Sequence, residues 1–416
     1  MKSLSKTAVW TASSTAFKIG ISLILVKLFA LQFGLEGLGQ AANFMTLITV
    51  LGVFAGGGIF NGVTKYVAEL EHSPEQLDTF LVTSNRIVVL FSAVLAVIFV
   101  LFSAKISEWI FYSEDYQIVI VVTAFIQFAI ANSNYLLAVL KGYRQVKANA
   151  ISLIIGAFLS TIFFLALLYC FGYFGALIGI ACMSVFSFLP ASYFLKQRGY
   201  QFRLWQQGRF SWQYARTLSK FSAMVLITVI TLPIIYIVLR DLLAESHSLE
   251  QVGLWQGVSK ISDAYLQLIT AVFSVYLLPV FAKLAQKDEI KREVVKAVKF
   301  VGIFVISTSL CVFVLKREII LTLYSEQFLP MESLFIWQLI GDMFKVVAYV
   351  FGYLVVAKAS LKLYILAEVC QLTLLLMIGQ WLIPLNGAEG AVQTYLLTYF
   401  CYFFICLLAF HRYLKN

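Results

Sequence analysis

Along the whole chain, long apolar stretches alternate with short polar ones. An apolar helix of about 20 residues is what a bilayer's hydrocarbon core requires. Twelve stretches fit that length, at roughly 7–34, 38–67, 79–103, 117–140, 147–171, 174–195, 214–240, 251–284, 293–315, 331–357, 361–383 and 388–411. None has the short alternation of barrel strands, so backbone groups in lipid must be satisfied within helices. The pattern predicts an all-α polytopic membrane protein of about twelve spans. The first stretch follows "MKSLSK" but lacks a compact apolar core with a cleavage site, and reads as an uncleaved span.

Composition strengthens this reading. Hydrophobic residues are 61% of the chain and charged residues 12%, against about a quarter charged in soluble domains. The net charge of +10 is distributed by topology. One alternating set of connections, including Lys65, Lys141, Arg144, Lys196, Arg209, Lys287, Lys291, Arg292, Lys358 and Lys415, holds 22 basic residues, and the other holds only Lys105, Arg240, Lys316 and Arg317. Basic loops face the cytoplasm, so both termini are expected there. The charge is thus no sign of nucleic-acid binding. Six cysteines in apolar runs and three scattered histidines offer no metal, disulfide or redox pattern. The longest connection, 196–213, is basic and aromatic and suits a surface helix, leaving no room for a soluble catalytic domain.

An internal repeat appears at a shift of about 215: "TLSK" at 217–220 echoes "SLSK" at 3–6, "GLWQG" at 253–257 echoes "GLGQA" at 37–41, Lys358 echoes Lys141, and "GAEGAV" at 387–392 echoes "GYFGAL" at 172–177. Six spans per copy make the halves parallel, a plan used by transporters that bind between their repeats. The expected organisation is a first half over 1–195, a linker over 196–213 and a second half over 214–416, around a central cationic cavity.

Eight charges remain inside spans: Lys18, Lys27, Arg86, Lys260, Lys345, Asp263, Asp342 and Glu368, summing to +2. A charge at mid-bilayer costs roughly 2.5–3.5 kcal/mol on insertion scales and needs a partner or a wet cavity. In the eighth span Gln256, Lys260, Asp263, Gln267, Thr270 and Ser274 keep one helical face. The tenth span repeats the device with Gln338, Asp342, Lys345, Tyr349 and Tyr353. In each span the i,i+3 acid and base can touch, either as an inert ion pair or as a cavity element. Thr11, Ser14, Lys18 and Ser22 share a face in the first span, and Gln40 and Asn43 are polar in the second. Lys27 suits snorkelling to the interface. Arg86 suits an interfacial anchor or a cavity role, and Glu368 can pair with Lys358 or Lys362. Pro190, Pro233, Pro279 and "AGGG" at 55–58 permit bending or adjust packing locally. A cationic interior suits an anionic ligand, most economically phosphate or pyrophosphate.

Four segments, "FNGVTKYVAE" at 60–69, "GLWQGVSKISDAYLQLITAVFSVYLLP" at 253–279, "REVVK" at 292–296 and "FGYLVVAKASLKLYILAEV" at 351–369, resemble the Wzx-type flippases of enterobacterial common antigen synthesis. These belong to the polysaccharide-transport branch of the multidrug/oligosaccharidyl-lipid/polysaccharide exporter superfamily. The resemblance implies a multi-pass inner-membrane flippase of a Gram-negative bacterium, serving cell-surface polysaccharide and lipopolysaccharide biosynthesis. The implied substrate is undecaprenyl pyrophosphate carrying the common-antigen trisaccharide, moved from the cytoplasmic to the periplasmic leaflet. By location, Lys18, Lys260 and Lys345, with Arg86, take the pyrophosphate, while Gln40, Asn43 and Gln256 contact phosphate or sugar. Asp263, Asp342 or Glu368 would serve a proton or sodium coupling. No cofactor, metal or nucleic acid is expected. The partners implied are the lipid-linked oligosaccharide, the bilayer, and glycan-assembly proteins such as a polymerase and a chain-length regulator, with the protein working as a monomer. The alternatives are a flippase for an O-antigen unit or cell-wall precursor, an ion-coupled drug antiporter, and a membrane glycan polymerase or ligase. Short outer loops disfavour the enzyme, and the +2 interior disfavours the export of cations.

Overall fold

The computed structural model describes residues 2–200, 208–225, 231–284, 286–357 and 361–415, which are helical with short 3-10 turns and contain no strand. The first seven helices are α1 (Lys2–Phe54), α2 (Phe60–Leu70), α3 (Pro74–Leu101), α4 (Ser103–Phe111), α5 (Gln117–Gly142), α6 (Val146–Ala181) and α7 (Phe188–Lys196). They are followed by α8 (Trp212–Val225), α9 (Thr231–Ser246), α10 (Leu249–Lys283), α11 (Lys287–Val314), α12 (Lys316–Leu323), α13 (Leu334–Ala357) and α14 (Leu361–Lys415).

Three of these are too long for one crossing. α14 runs 55 residues, roughly 80 Å at helical rise against a hydrocarbon layer of ~30 Å. Glycines at positive φ break them: Gly34 in α1 (64°), Gly172 in α6 (56°) and Gly387 in α14 (59°). Only a residue without a β-carbon adopts that geometry freely, so glycine sets where each break falls. The breaks match the expected divisions between spans one and two, five and six, and eleven and twelve. Spans three and four are α3 and α5, span seven is α8 with α9, and spans eight to ten are α10, α11 and α13. Seven described segments are long and apolar enough to cross a membrane, and the three longest contain the glycine breaks. The chain is a multi-pass, all-α membrane protein.

The sequence repeat has a structural counterpart. A β-carbon on Gly175 would collide with the Leu167 carbonyl, and one on Gly390 with the Leu382 carbonyl. The two contacts stand 215 positions apart, and each clamps the two arms of a reversal. A second pair is reciprocal: Gly39 lies against the Leu249 carbonyl and Gly253 against the Leu35 carbonyl, both shifted by 214. Small residues let helix backbones approach this closely in lipid.

The chain packs as two compact units, Met1–Leu25 with Gln40–Ile234, and Val26–Gly39 with Ile235–Asn416. Packing and repeat therefore do not share a boundary, because α8 packs on α2 and α3 through Phe221–Tyr66 and Tyr214–Phe80 ring contacts. In the first unit α5 is central, packed on α2, α3, α6 and α7. In the second, α13 is central: Val346, Val350, Phe351 and Leu354 pack with Leu266 and Ile269 of α10 and Val294 and Val301 of α11. Many apolar side chains, such as Phe125, Ile303 and Val314, are exposed. In lipid that exposure costs little, and association rests on packing and hydrogen bonds.

Candidate functional site

The densest polar network lies in the second unit. Asp342 of α13 is completely buried. Its Oδ2 accepts from Ser262 Oγ at 2.7 Å and from the Tyr265 hydroxyl, both one helical turn of α10. Its Oδ1 accepts from the Tyr395 hydroxyl at 2.6 Å and from Gln338 Nε2 at 3.4 Å. Gln338 Nε2 also donates to Ser262 Oγ at 3.1 Å. A buried carboxylate is tolerated only when its lone pairs are met; here three hydroxyls and one amide meet them. α10, α13 and the second arm of α14 are thereby tied together.

Lys345 lies one turn further along α13. Its Nζ stands 5.0 Å from the ring centroids of both Tyr395 and Tyr399, and 5.9 Å from Tyr349. Each such contact is worth roughly 0.5–2 kcal/mol, depending on desolvation. Gln371 Nε2 donates to the Tyr399 hydroxyl at 2.9 Å and fixes that ring.

This corrects the sequence expectation for both charged pairs. Neither Lys260–Asp263 nor Asp342–Lys345 is among the ion pairs of the described residues. Asp342 turns inward, where hydroxyls satisfy it, while Lys345 emerges about 60° around the helix onto tyrosine faces. Lys260 is half-buried and Asp263 is exposed.

Arg240 is a second correction. The sequence places it in an outer connection, whereas the structure buries it within α9, 8% exposed. Its guanidinium lies 5.9 Å from the Tyr236 ring and 5.7 Å from the Trp255 ring, and Nη2 donates to Gln256 Oε1 at 3.0 Å. Gln256 itself is buried and sits one turn before Lys260. Arg240, Lys260 and Lys345 therefore belong to one unit, with Asp263 the exposed acid among them.

The remaining site residues separate. Lys18 is exposed on α1, and Lys27 is half-buried. Gln40 Nε2 donates to the Phe111 carbonyl at 3.3 Å, and its Oε1 accepts from the Tyr116 hydroxyl at 3.1 Å. Asn43 is buried and donates to the Tyr112 hydroxyl at 3.1 Å. Both side chains thus bond to the chain's own 111–116 segment. Arg86 Nη2 donates to the Gly208 carbonyl at 3.2 Å, so it holds the connection before α8. Glu368 is half-buried on α14. The Ser274, Lys358 and Lys362 side chains, and Arg203, Phe202 and Trp205 of the linker, lie outside the described residues.

Sequence reasoning missed Arg240, Tyr236, Trp255, Tyr265, Tyr395 and Tyr399 as members of this network. The i,i+4 spacing of Tyr395 and Tyr399 was the one available signal for the lysine cradle. Chemically, the arrangement keeps Lys345 out of an ion pair with its neighbour: tyrosine faces hold the lysine, and the Asp342 carboxylate is spent on hydroxyls.

Comparison with known proteins agrees with the helical architecture. The profile described as "Polysaccharide biosynthesis protein" matches residues 34–333. Proteins named lipid III flippase from Escherichia coli (strain K12) and Shigella flexneri are each 50% identical over 409 residues, covering 97% of both chains. Among solved structures, an inward-facing multidrug resistance MATE family transporter of the MOP superfamily matches with a TM-score of 0.77 at 13% identity, covering 97% of this chain and 94% of the other. The lipid II flippase MurJ in an inward closed conformation matches at 0.72 and 16% identity, covering 97% and 87%. The fold is thus that of the MATE and MurJ transporters, and the chain belongs to the polysaccharide biosynthesis protein family that its 50%-identical lipid III flippase relatives represent.

Proposed function

We propose that this protein is a lipid III flippase, moving undecaprenyl pyrophosphate with its oligosaccharide from the cytoplasmic to the periplasmic leaflet of the inner membrane by alternating access. Half-identity to lipid III flippases along nearly the whole of both chains supports the substrate. The observation that carries the mechanism is the cationic cluster of the second unit. Lys345 lies over tyrosine faces with no carboxylate in ion-pair contact among the described residues, and Arg240 and Lys260 stand on the adjoining helices. Pyrophosphate needs converging donors and positive charge, and guanidinium and ammonium groups supply both. Lys18 is a further candidate cation, in the first unit. In this reading both termini are cytoplasmic and the repeat comprises the 1–195 and 214–416 halves. The protein acts as a monomer within a glycan-assembly system.

The membrane potential favours export of the anion. With the interior negative, each charge crossing 100 mV is worth about 2.3 kcal/mol, and a pyrophosphate carries roughly two. A proton or sodium ion can add a second drive. Of the three interior acids, Asp263 is the exposed one and is best placed to exchange an ion, whereas Asp342 already has its full set of donors.

Complementation of a flippase-deficient strain tests this. Neutralising Lys260 or Lys345 should abolish it at normal membrane levels of the protein. Full complementation by a Lys18/Lys260/Lys345 triple methionine variant would overturn the cationic site. Rescue of an O-antigen or cell-wall flippase mutant but not of a lipid III mutant would reassign the glycan.

A further inference from the structure

α11 has two chemically opposed faces. Ile290, Val294, Ala297, Val301 and Val305 are buried in the core of the second unit. On the opposite side Asp288, Lys291, Arg292, Val295, Lys296, Lys299 and Phe300 line an open pocket of about 650 Å³. Lys296 pairs with Glu293 at 3.8 Å. Among the described residues, no ion pair involves Lys291, Arg292 or Lys299. Directly beyond the basic turns, Phe300, Ile303 and Phe304 are 70%, 68% and 52% exposed. A cationic pocket thus passes straight into a strip of side chains suited to acyl chains.

The first unit shows what happens to the equivalent face. In the register of the Gly39–Gly253 pair, Asp78, Val82 and Arg86 of α3 stand 214 positions before Arg292, Lys296 and Phe300. The chain itself covers that face of α3. Gly208 packs so closely that a β-carbon there would meet Val82 Cγ2 at 2.9 Å. Arg86 holds the Gly208 carbonyl, Ser211 N donates to Thr83 Oγ1 at 3.0 Å, and Tyr214 packs edge-on against Phe80. On α11 the pocket stays open, and the covered acid and valine are replaced by Arg292 and Lys296.

We infer that this face of α11 is a binding site for an acidic phospholipid, whose anionic headgroup occupies the Lys291–Arg292–Lys299 pocket while its acyl chains lie on Phe300, Ile303 and Phe304. Charge complementarity selects the headgroup: clustered basic residues at a membrane surface attract anionic lipids. The side of the helix selects a resident lipid over transported cargo, since the pocket faces away from the core of its unit. The inference is independent of the flippase reading.

The purified full-length chain, titrated with palmitoyl-oleoyl phosphatidylglycerol and followed by native mass spectrometry, tests it. The wild type should retain phosphatidylglycerol at least about tenfold better than phosphatidylethanolamine. The Lys291→Gln/Arg292→Gln/Lys299→Gln variant should lose that preference, while a charge-matched Lys65→Gln/Lys147→Gln/Arg412→Gln control should keep it within about twofold. Equal loss in both variants means bulk attraction by basic ends and overturns the site. So does loss of undecaprenyl pyrophosphate binding with phosphatidylglycerol binding intact. Val295→Trp fills the pocket and leaves every charge in place, so it must also reduce retention even where the triple variant folds poorly. Lys291→Arg/Lys299→Arg must preserve it.

Discussion

Gln40 and Gln256 align in the sequence echo of "GLGQA" and "GLWQG", yet the two units use them differently. Gln40 is held at both ends of its amide by the segment between α4 and α5, where it closes a local fold. Gln256 instead accepts from a buried arginine that lies beside two aromatic rings. The same contrast runs through the other polar residues. In the first unit Asn43 and Arg86 bind the protein's own chain. In the second, the polar groups around Asp342 and Lys345 keep a carboxylate and an ammonium apart. The comparison teaches that a duplicated helical scaffold can bind its polar groups to a local segment in one copy and spread them between helices in the other.

The largest effect expected from breaking this contrast is at Asp342. In an Asp342→Asn variant the side chain would offer one acceptor oxygen where the carboxylate offers two, and its amide hydrogens would face donors. At least one of the Ser262, Tyr265 and Tyr395 hydroxyls would lose its acceptor. Each buried group left unpaired costs about 1–3 kcal/mol. The thermal unfolding midpoint in detergent should fall by several degrees, and complementation should be lost. Unchanged stability would show that the carboxylate does not hold the three helices together.

Next is Arg240. Arg240→Lys keeps the charge but loses the planar donor array that reaches Gln256 while lying near Tyr236 and Trp255. Transport should drop by about tenfold, equivalent to roughly 1.4 kcal/mol. A double-mutant cycle with Gln256→Ala should give a coupling of roughly 1–2 kcal/mol in transport rate. A coupling near zero would separate the two residues. The matching first-unit change, Gln40→Ala, should lower stability by about 1 kcal/mol and leave transport per folded molecule unchanged. If Gln40→Ala and Gln256→Ala behave alike, the functional asymmetry of the two units is wrong.

How much of this could be read from the sequence follows from what lipid demands. Backbone groups in hydrocarbon leave only helices or closed barrels, and the apolar stretches lack barrel alternation, so they disclosed the fold class, and the matching glycines at 172 and 387 marked equivalent reversals. The Lys260 and Lys345 positions were also visible, because interior charge is rare and conspicuous. Their partners were not. Helical spacing shows that Asp342 can touch Lys345, but not that hydroxyls from α10 and α14 reach the carboxylate first. Tyr395 and Tyr399 read as apolar filling until a cation lies over their faces. Arg240 reads as a loop residue because it stands near a helix end, and its burial depends on Trp255 and Gln256 of the next helix. The partner of Arg86 was hidden for a related reason: its acceptor lies 122 positions away.

The smallest expected effect sharpens the comparison most finely, because it concerns this residue. Arg86 donates to the Gly208 carbonyl at 3.2 Å in an exposed setting. An exposed interaction of this kind contributes about 0.5 kcal/mol, so Arg86→Ala should leave the unfolding midpoint almost unchanged. It should also leave complementation intact, in contrast to Lys345. The connection before α8 would lose a polar anchor and keep another, Ser211 N on Thr83 Oγ1. Limited trypsin digestion should then cut at Arg209 roughly two- to threefold faster, about the same free energy expressed as local opening. Adding Thr83→Val should increase that rate further, because it removes the second anchor. If Arg86→Ala instead abolishes transport while the connection stays resistant to trypsin, Arg86 acts on the substrate and the first unit shares the working charge.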